Sequence, residues 1–346
     1  MTKKDLFLAN ARGEYTNRTP IWIMRQAGRY LPEYRNFKKN FSFEELCRTP
    51  KAVAEVSAQP IEILDLDAAI IFSDILLILE PLGINLKFDP GPIITPILEK
   101  PEQISDYQEF DPAKELSFVG DAIIETRKRI GQNIPLLGFC GAPFTLFCYL
   151  SGMKGARDFY KAIKFLTNYP VEGKKVLHTL AEISIKYLKL QLSAGADAVQ
   201  IFDTWAGELG SEEFAEWSLP YLRRIITALH QDNAITSVYI KGSYHLLDQI
   251  RGLDADIISL DWRVPMMTAR DRLSPKALQG NLDPHLLLGP EELIIEKTRK
   301  ILDEMKDYPG YIFNLGHGIL PETPVENVRA LVQTVHSYER KINVRR

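Results

Sequence analysis

Arg25 and Arg29 stand directly after the apolar run Ile21–Met24 and are separated only by Gln26, Ala27 and Gly28. Two planar guanidinium forks with no acid between them suit carboxylates or phosphates held bidentately. On a helix the i, i+4 spacing puts both on one side. On a loop, Gly28 lets the backbone close up to whatever the arginines hold. The plainer alternative is a pair of surface arginines, but charge at the end of a buried run points to function.

Chemistry-bearing residues recur in the same position along the chain. Apolar runs are followed by Ser73-Asp74, Cys140-Gly141, Asp203-Thr204, Lys241-Gly242, Asp261, Asn281 with Asp283, and Asn314 with Gly316-His317. Together they supply cations (Arg25, Arg29, Lys241), acids (Asp74, Asp203, Asp261) and His317, a histidine with glycine on both sides. Phe144 and Tyr149 would add apolar wall and a phenol. Such a mixture fits a ligand with several carboxylates around an apolar body. It fits nucleotide phosphates less well, for want of a glycine-rich phosphate loop. Ordinary polar turn residues are the bland alternative.

Such residues need a scaffold that gathers strand ends. Strand-like runs are read at Ile21–Met24, Ala68–Phe72, Pro135–Phe139, Ala198–Phe202, Thr236–Ile240, Asp256–Leu260, Ala277–Gly280 and Tyr311–Asn314. Helical patterns fall between them, at about Pro50–Leu64, Ala113–Ile130, Ala156–Thr167, Val171–Ser193, Glu212–His230, His245–Ile250, Met267–Leu273, Pro290–Met305 and Val325–Tyr338. Ile84–Phe88 reads as a hairpin-like excursion, and Pro101–Pro112 as an acidic linker. Eight runs alternating with helices predict a single-domain (β/α)8 barrel over residues 1–346. The runs are continuously apolar, as parallel strands covered on both faces require. A doubly wound open sheet is the rival fold; no run is followed by GxGxxG or a P-loop.

Composition narrows the classes. The 346 residues are 45% hydrophobic and 25% charged, as in ordinary globular proteins. A net charge of -3 gives no reason to expect nucleic acid or an anionic membrane surface as partner. Cys47, Cys140 and Cys148 are odd in number and form no CxxC pair, so neither a disulfide framework nor structural zinc is expected. That fits a cytoplasmic setting. The N-terminus does not read as a signal peptide, and no run approaches the roughly 18 apolar residues of a membrane span. The six histidines make no HxH or HExxH pair, so no metal site is expected.

The segments Pro20–Arg29 and Gly138–Tyr149 resemble the two signature segments of the uroporphyrinogen decarboxylase family. Ile70–Ile75, Leu260-Asp261-Trp262, Gln279–Asp283 and Asn314–Gly318 match further, in the family's order and over nearly the whole chain. The resemblance implies a cofactor-free, cytoplasmic, homodimeric barrel enzyme that converts uroporphyrinogen III to coproporphyrinogen III by removing four acetate carboxyls. It implies that Arg25 and Arg29 bind substrate carboxylates, with Gln26, Ala27 and Gly28 along the same wall. Asp74 would accept hydrogen bonds from pyrrole N–H groups and stabilise the transition state. Tyr149, Thr204 and His317 would meet the acid arms, and Phe202 would lie beneath the macrocycle. Two departures are a threonine at 204, where the family often has serine, and Lys38, where some members carry arginine; Lys38 is left outside the core site.

Chemistry supports this independently. A pyrrole protonated at carbon becomes an iminium-like electron sink, so the substrate can do a cofactor's work. Ionised Asp74 would stabilise that cation. For proton delivery, arginine is a poor acid; His317 or bound water is easier on pKa grounds. Rival readings are a zinc-dependent methyltransferase barrel, which needs an HxC-type pair and a late cysteine absent after Cys148, and a tetrapyrrole carrier, which would not need Asp74.

Overall fold

Seven parallel strands form one curled sheet in the computed structural model, which describes residues 1–89, 91–106 and 110–340. The strands in chain order are β1 (Ala69–Ile70), β2 (Asn85–Asp89), β3 (Gly91–Thr95), β4 (Leu136–Gly141), β5 (Ala198–Asp203), β6 (Ile235–Ile240), β7 (Ile257–Leu260), β8 (Ala277–Leu282) and β9 (Tyr311–Leu315). The large sheet runs β1-β4-β5-β6-β7-β8-β9, and β2 pairs with β3 in a separate antiparallel hairpin. Every residue of β4, β7, β8 and β9 is buried, the pattern of strands covered on both faces. Parallel register, with Leu137 opposite Ala198 and Asn281 opposite Asn314, brings the carboxyl ends of the strands to one edge.

The eighth expected strand takes a different form. Ile21–Met24 contributes a single parallel bridge, Ile21 to Phe313, rather than a ladder. The cause lies in its amides, most of which go to side chains. Ile21 N–H donates to Asp67 Oδ2 (2.9 Å), Ile23 N–H to Gln26 Oε1 (3.0 Å) and Met24 N–H to Asn314 Oδ1 (2.9 Å). Pro20 has no N–H to give. Backbone bonds still reach both neighbours: Trp22 N–H donates to Phe313 O (3.3 Å), and Asp67 N–H to Ile21 O (2.8 Å). Asp67 is wholly buried. It also takes both Arg18 Nη groups at 2.8 Å and lies 3.1 Å from His336 Nε2, in the final helix Val325–Ser337.

Helix boundaries follow caps and prolines. Lys3–Ala11 and Phe43–Arg48, not expected as helices, open on capping boxes, Thr2 with Asp5 and Ser42 with Glu45. Pro32–Lys38 begins with its proline. The expected helix Glu212–His230 is two, Ser211–Trp217 and Leu219–His230. Pro220 has no N–H and its ring crowds the preceding turn, which stops the first helix at Trp217. The expected helix from Ala113 likewise divides into Pro112–Glu115 and Ser117–Ile130. Of the acidic linker, Pro101–Asp106 is a 3-10 turn. Its residues 107–109, Pro90 and the tail 341–346 of the expected domain lie outside the described residues. Among the described residues no helix is long and apolar enough to cross a membrane.

Candidate active site

At the carboxyl edge of the sheet Arg25 takes a φ of 64°, in the left-handed region. A side-chain-bearing residue enters that region at a cost of about 1–2 kcal/mol. Gln26 supports the twist. Its Oε1 accepts from Ile23 N–H, its Nε2 donates to Ala68 O (3.0 Å), and its own N–H bonds Ile23 O (2.9 Å). With Gln26 anchored inward, Arg25 is turned out and exposed, as is Arg29. Both polar ends of the Gln26 side chain are taken inside the loop, which leaves its backbone as the part that can lie along the wall with Ala27 and Gly28. Ala27 and Gly28 are half-buried beside it. Ile319 N–H donates to Met24 O (3.0 Å) and brings the Gly316–Gly318 loop against Arg25. A methyl group on Gly318 would stand 2.4 Å from Arg25 Cδ, so the glycine is what leaves the arginine stem its path.

Asp74 follows β1, and its Oδ1 accepts from Leu76 N–H (2.8 Å). It is largely buried but keeps partial solvent access. Burial pushes its pKa up to about 6, against the opposing pull of the Leu76 N–H and the Arg25 charge. Arg25 is thus near enough for its charge to bear on Asp74. Phe72 beside Asp74 joins an aromatic file, 5.7 Å from Tyr34 and 5.8 Å from Phe43, which meets Phe88 of β2 at 4.6 Å.

Tyr149 rides on the helix Pro143–Leu150 and is half-buried. Burial raises its pKa, and it feels the charges of Asp74 and Arg25. Phe144 on the same helix was expected as pocket wall but is wholly buried, packed against Phe159 at 6.1 Å. Phe202, half-buried, stands edge-on to Phe139 (5.7 Å) and Tyr239 (6.0 Å). Thr204 follows it with partial exposure.

The His317 ring lies parallel to that of Tyr239, with centres 6.2 Å apart. Tyr239 Oη is 2.9 Å from Gly316 O and 3.2 Å from His317 Nδ1. A carbonyl can only accept, so Tyr239 donates there and His317 Nδ1–H donates to the phenol oxygen. Burial, then the charges of Arg25, Lys241, Arg263 and His285, push the imidazole pKa down to about 3. His317 is neutral at physiological pH. At that value the free ring carries little of the imidazolium form on which proton donation would draw.

Two expected pocket acids belong to the framework instead. Asp203 is wholly buried, accepting from Thr145 Oγ1 and Ser218 Oγ at 2.6 Å each, and burial lifts its pKa to about 6. Thr145 Oγ1 in turn accepts from Trp205 N–H (3.2 Å). Asp261, also wholly buried, pairs with Arg263 (2.6 Å) and accepts from Gly242 N–H (3.0 Å). Sequence reading stopped at the first polar residue after each strand and so missed Trp205, Trp262 and Arg263, one or two places on. Tyr239 was hidden inside an apolar run. Among the described residues no group of three or more His, Cys, Asp or Glu could hold a metal ion. The three cysteines are buried, which pushes their thiols up.

A family model described as "Uroporphyrinogen decarboxylase (URO-D)" matches residues 2–338. A protein named uroporphyrinogen decarboxylase from Pelobacter propionicus is 42% identical over 339 residues, covering 96% of this chain and 98% of the relative. One of the same name from Geobacter sulfurreducens is 40% identical over 336 residues, covering 97% and 99%. Among solved structures, a methyltransferase from Methanosarcina mazei superposes with a TM-score of 0.79 at 21% identity, covering 97% of this chain and 98% of that one. A B12-independent methionine synthase from Shewanella sp. W3-18-1 gives 0.59 at 15% identity, covering 92% and 95%. These structural likenesses bear on the fold alone.

Proposed function

The chain belongs to the uroporphyrinogen decarboxylase family and is a carboxy-lyase of porphyrin biosynthesis; from that premise we propose how its residues take the four acetate carboxyls off uroporphyrinogen III to leave coproporphyrinogen III. The observation that carries the assignment of roles is Asp74, a largely buried carboxylate just beyond β1 that feels the charge of the outward-turned Arg25 guanidinium.

In each step a pyrrole carbon takes a proton and the ring becomes an iminium-like cation. The acetate C–C bond then breaks, its electron pair flows into the ring, and CO2 leaves an exocyclic methylene. Protonation of that carbon and loss of the ring proton give the methyl group. Asp74, ionised above about pH 6, accepts hydrogen bonds from the pyrrole N–H groups and stabilises the cation as it develops. Arg25 and Arg29 hold carboxylate arms and fix which acetate faces Asp74, an orientation effect. Tyr149 and Thr204 offer hydroxyls to further arms, and Ala27 and Gly28 form the wall between the arginines. Phe202 gives the macrocycle an apolar floor. Neutral His317 presents a lone pair on Nε2, and the protons come from water bound beside the substrate.

We take the whole to be a closed, single-domain (β/α)8 barrel in which Ile21–Met24 serves as the missing strand. The bonds from Trp22 to Phe313 and from Asp67 to Ile21 support that reading. The working form is a cytoplasmic homodimer. The test is incubation with freshly reduced uroporphyrinogen, no metal or cofactor added, and separation of products by carboxylate count. The expected series runs from eight carboxylates to four; octacarboxylate recovered intact would refute the assignment.

A further inference from the structure

Beyond β6, β7 and β8 the rim carries basic side chains to which the roles above give nothing to do. Lys241 Nζ lies 6.0 Å from the ring centre of Trp205, the residue after Thr204. Its backbone is held closely: a methyl group on Gly207 would stand 1.8 Å from Lys241 O, and Gly242 N–H bonds Asp261 Oδ2 at 3.0 Å. Arg263 binds that same oxygen through Nη1 (2.6 Å) and lies over Trp262, 4.2 Å from the ring centre, with half of its side chain exposed. Asp261 is wholly buried and its Oδ1 has no partner among the described residues. Trp262 meets His285 edge-on at 5.8 Å and packs on Gly316, where a methyl group would come within 2.4 Å of Trp262 N. His317 comes next, then Gly318 against Arg25. The rim is thus continuous from Thr204 to Arg25.

Asp261 occupies one of the five guanidinium donors of Arg263; the carboxylate end of the pair is wholly buried while half of the Arg263 side chain faces solvent. Arg263 and Lys241 both lie on indole faces, which steer a cation while leaving its N–H groups free. The substrate of the decarboxylation proposed above brings four acetates and four propionates, more than two arginines can take. We propose that Arg263 and Lys241, each laid on a tryptophan, form a second carboxylate-binding wall for the porphyrinogen arms that Arg25 and Arg29 leave free. The inference rests on the decarboxylase reading and adds a specificity surface to it. His317 already registers these charges in its lowered pKa.

Steady-state kinetics on the full chain test this with uroporphyrinogen III at two ionic strengths. Arg263→Gln is expected to raise KM about tenfold with kcat within about twofold, and Arg263→Gln/Lys241→Gln to raise it further. The salt dependence of KM should become shallower as these cations are removed. Arg263→Lys keeps the charge and should recover most of the affinity. Arg272→Gln removes an equal charge from the helix Met266–Leu273, where Arg272 pairs with Asp248, and should leave KM unchanged. Unchanged KM in Arg263→Gln, an equal rise in Arg272→Gln, or a lost kcat and unfolding temperature that Arg263→Lys does not recover would overturn the wall. A wild-type chain that converts no uroporphyrinogen would overturn the decarboxylase reading instead.

Discussion

Asp74 weakens the fold that holds it. Its pKa in the folded chain, about 6, lies above the 3.8 of a free aspartate, because burial outweighs the Leu76 N–H and the Arg25 charge. The folded chain therefore binds that proton more tightly than the unfolded one. Stability falls as pH rises from about 4 to 6, and the deficit persists above, on the order of 3 kcal/mol. Asp74→Asn keeps an acceptor for Leu76 and removes the buried charge. The variant is expected to unfold at an equal or higher temperature, while turnover falls by about two to three orders of magnitude. A near-normal rate, or a clearly lower midpoint in calorimetry, would contradict the role given to the carboxylate. For the wild type, kcat/KM should decline below about pH 6 as Asp74 takes up its proton; a flat profile to pH 5 would place the essential base elsewhere. At this scale the sequence was informative wherever function follows from place. Asp74 and Arg25 were legible as charges just beyond apolar runs. The neutral state of His317 was not, since it depends first on the burial of the ring and then on charges, Arg25, Lys241 and Arg263 among them, that the fold brings from other loops. Nor was the inward turn of Gln26, which needs Ala68 beside it.

Among elements, the link that connects most of the site is Asp203 with Thr145 and Ser218. It joins the end of β5, the helix bearing Tyr149 and the break before Leu219–His230. Through Trp205 N–H it also fixes the loop that carries Thr204. Thr145→Val keeps the shape but leaves one Asp203 oxygen and the Trp205 amide without their bonds. A loss of about 1–3 kcal/mol is expected, read as a lower denaturant midpoint, together with a lower kcat/KM. Thr145→Ser should restore both. A wild-type midpoint in the valine variant would mean the bond contributes nothing. Seven strands were legible because parallel strands buried on both faces leave unbroken apolar runs. The Ile21–Met24 run looked the same, yet the amides of Ile21 and Met24 bond side chains remote in sequence, Asp67 and Asn314, which periodicity does not reveal. The opening helices were missed although Thr2 with Asp5 and Ser42 with Glu45 are readable caps. The division at Ser218 was signalled by Pro220, whose effect on the preceding turn the helical pattern masked.

For the molecule as a whole, Asp67 ties the beginning of the chain to its end. Arg18 and Ile21 precede the sheet, His336 lies in the last helix, and all three bond one buried carboxylate. Burial alone would raise its pKa, but the bonds and charges of His336 and Arg18 bring it below 3.8. The stability it contributes is therefore fully present above about pH 4 and is lost as pH falls through the folded-state value. Asp67→Ala leaves Arg18 and the Ile21 amide without an acceptor, and should cost on the order of 3 kcal/mol in urea unfolding at pH 7. The difference from wild type should shrink on acidification; one that stays constant to pH 3 would mean the carboxylate charge is not what matters.

The left-handed backbone at Arg25 has an evolutionary corollary. Glycine or asparagine would rest there more comfortably than arginine. Lineages judged only on how well they fold would drift toward those residues, and the guanidinium persists at that corner only under selection for what it grips.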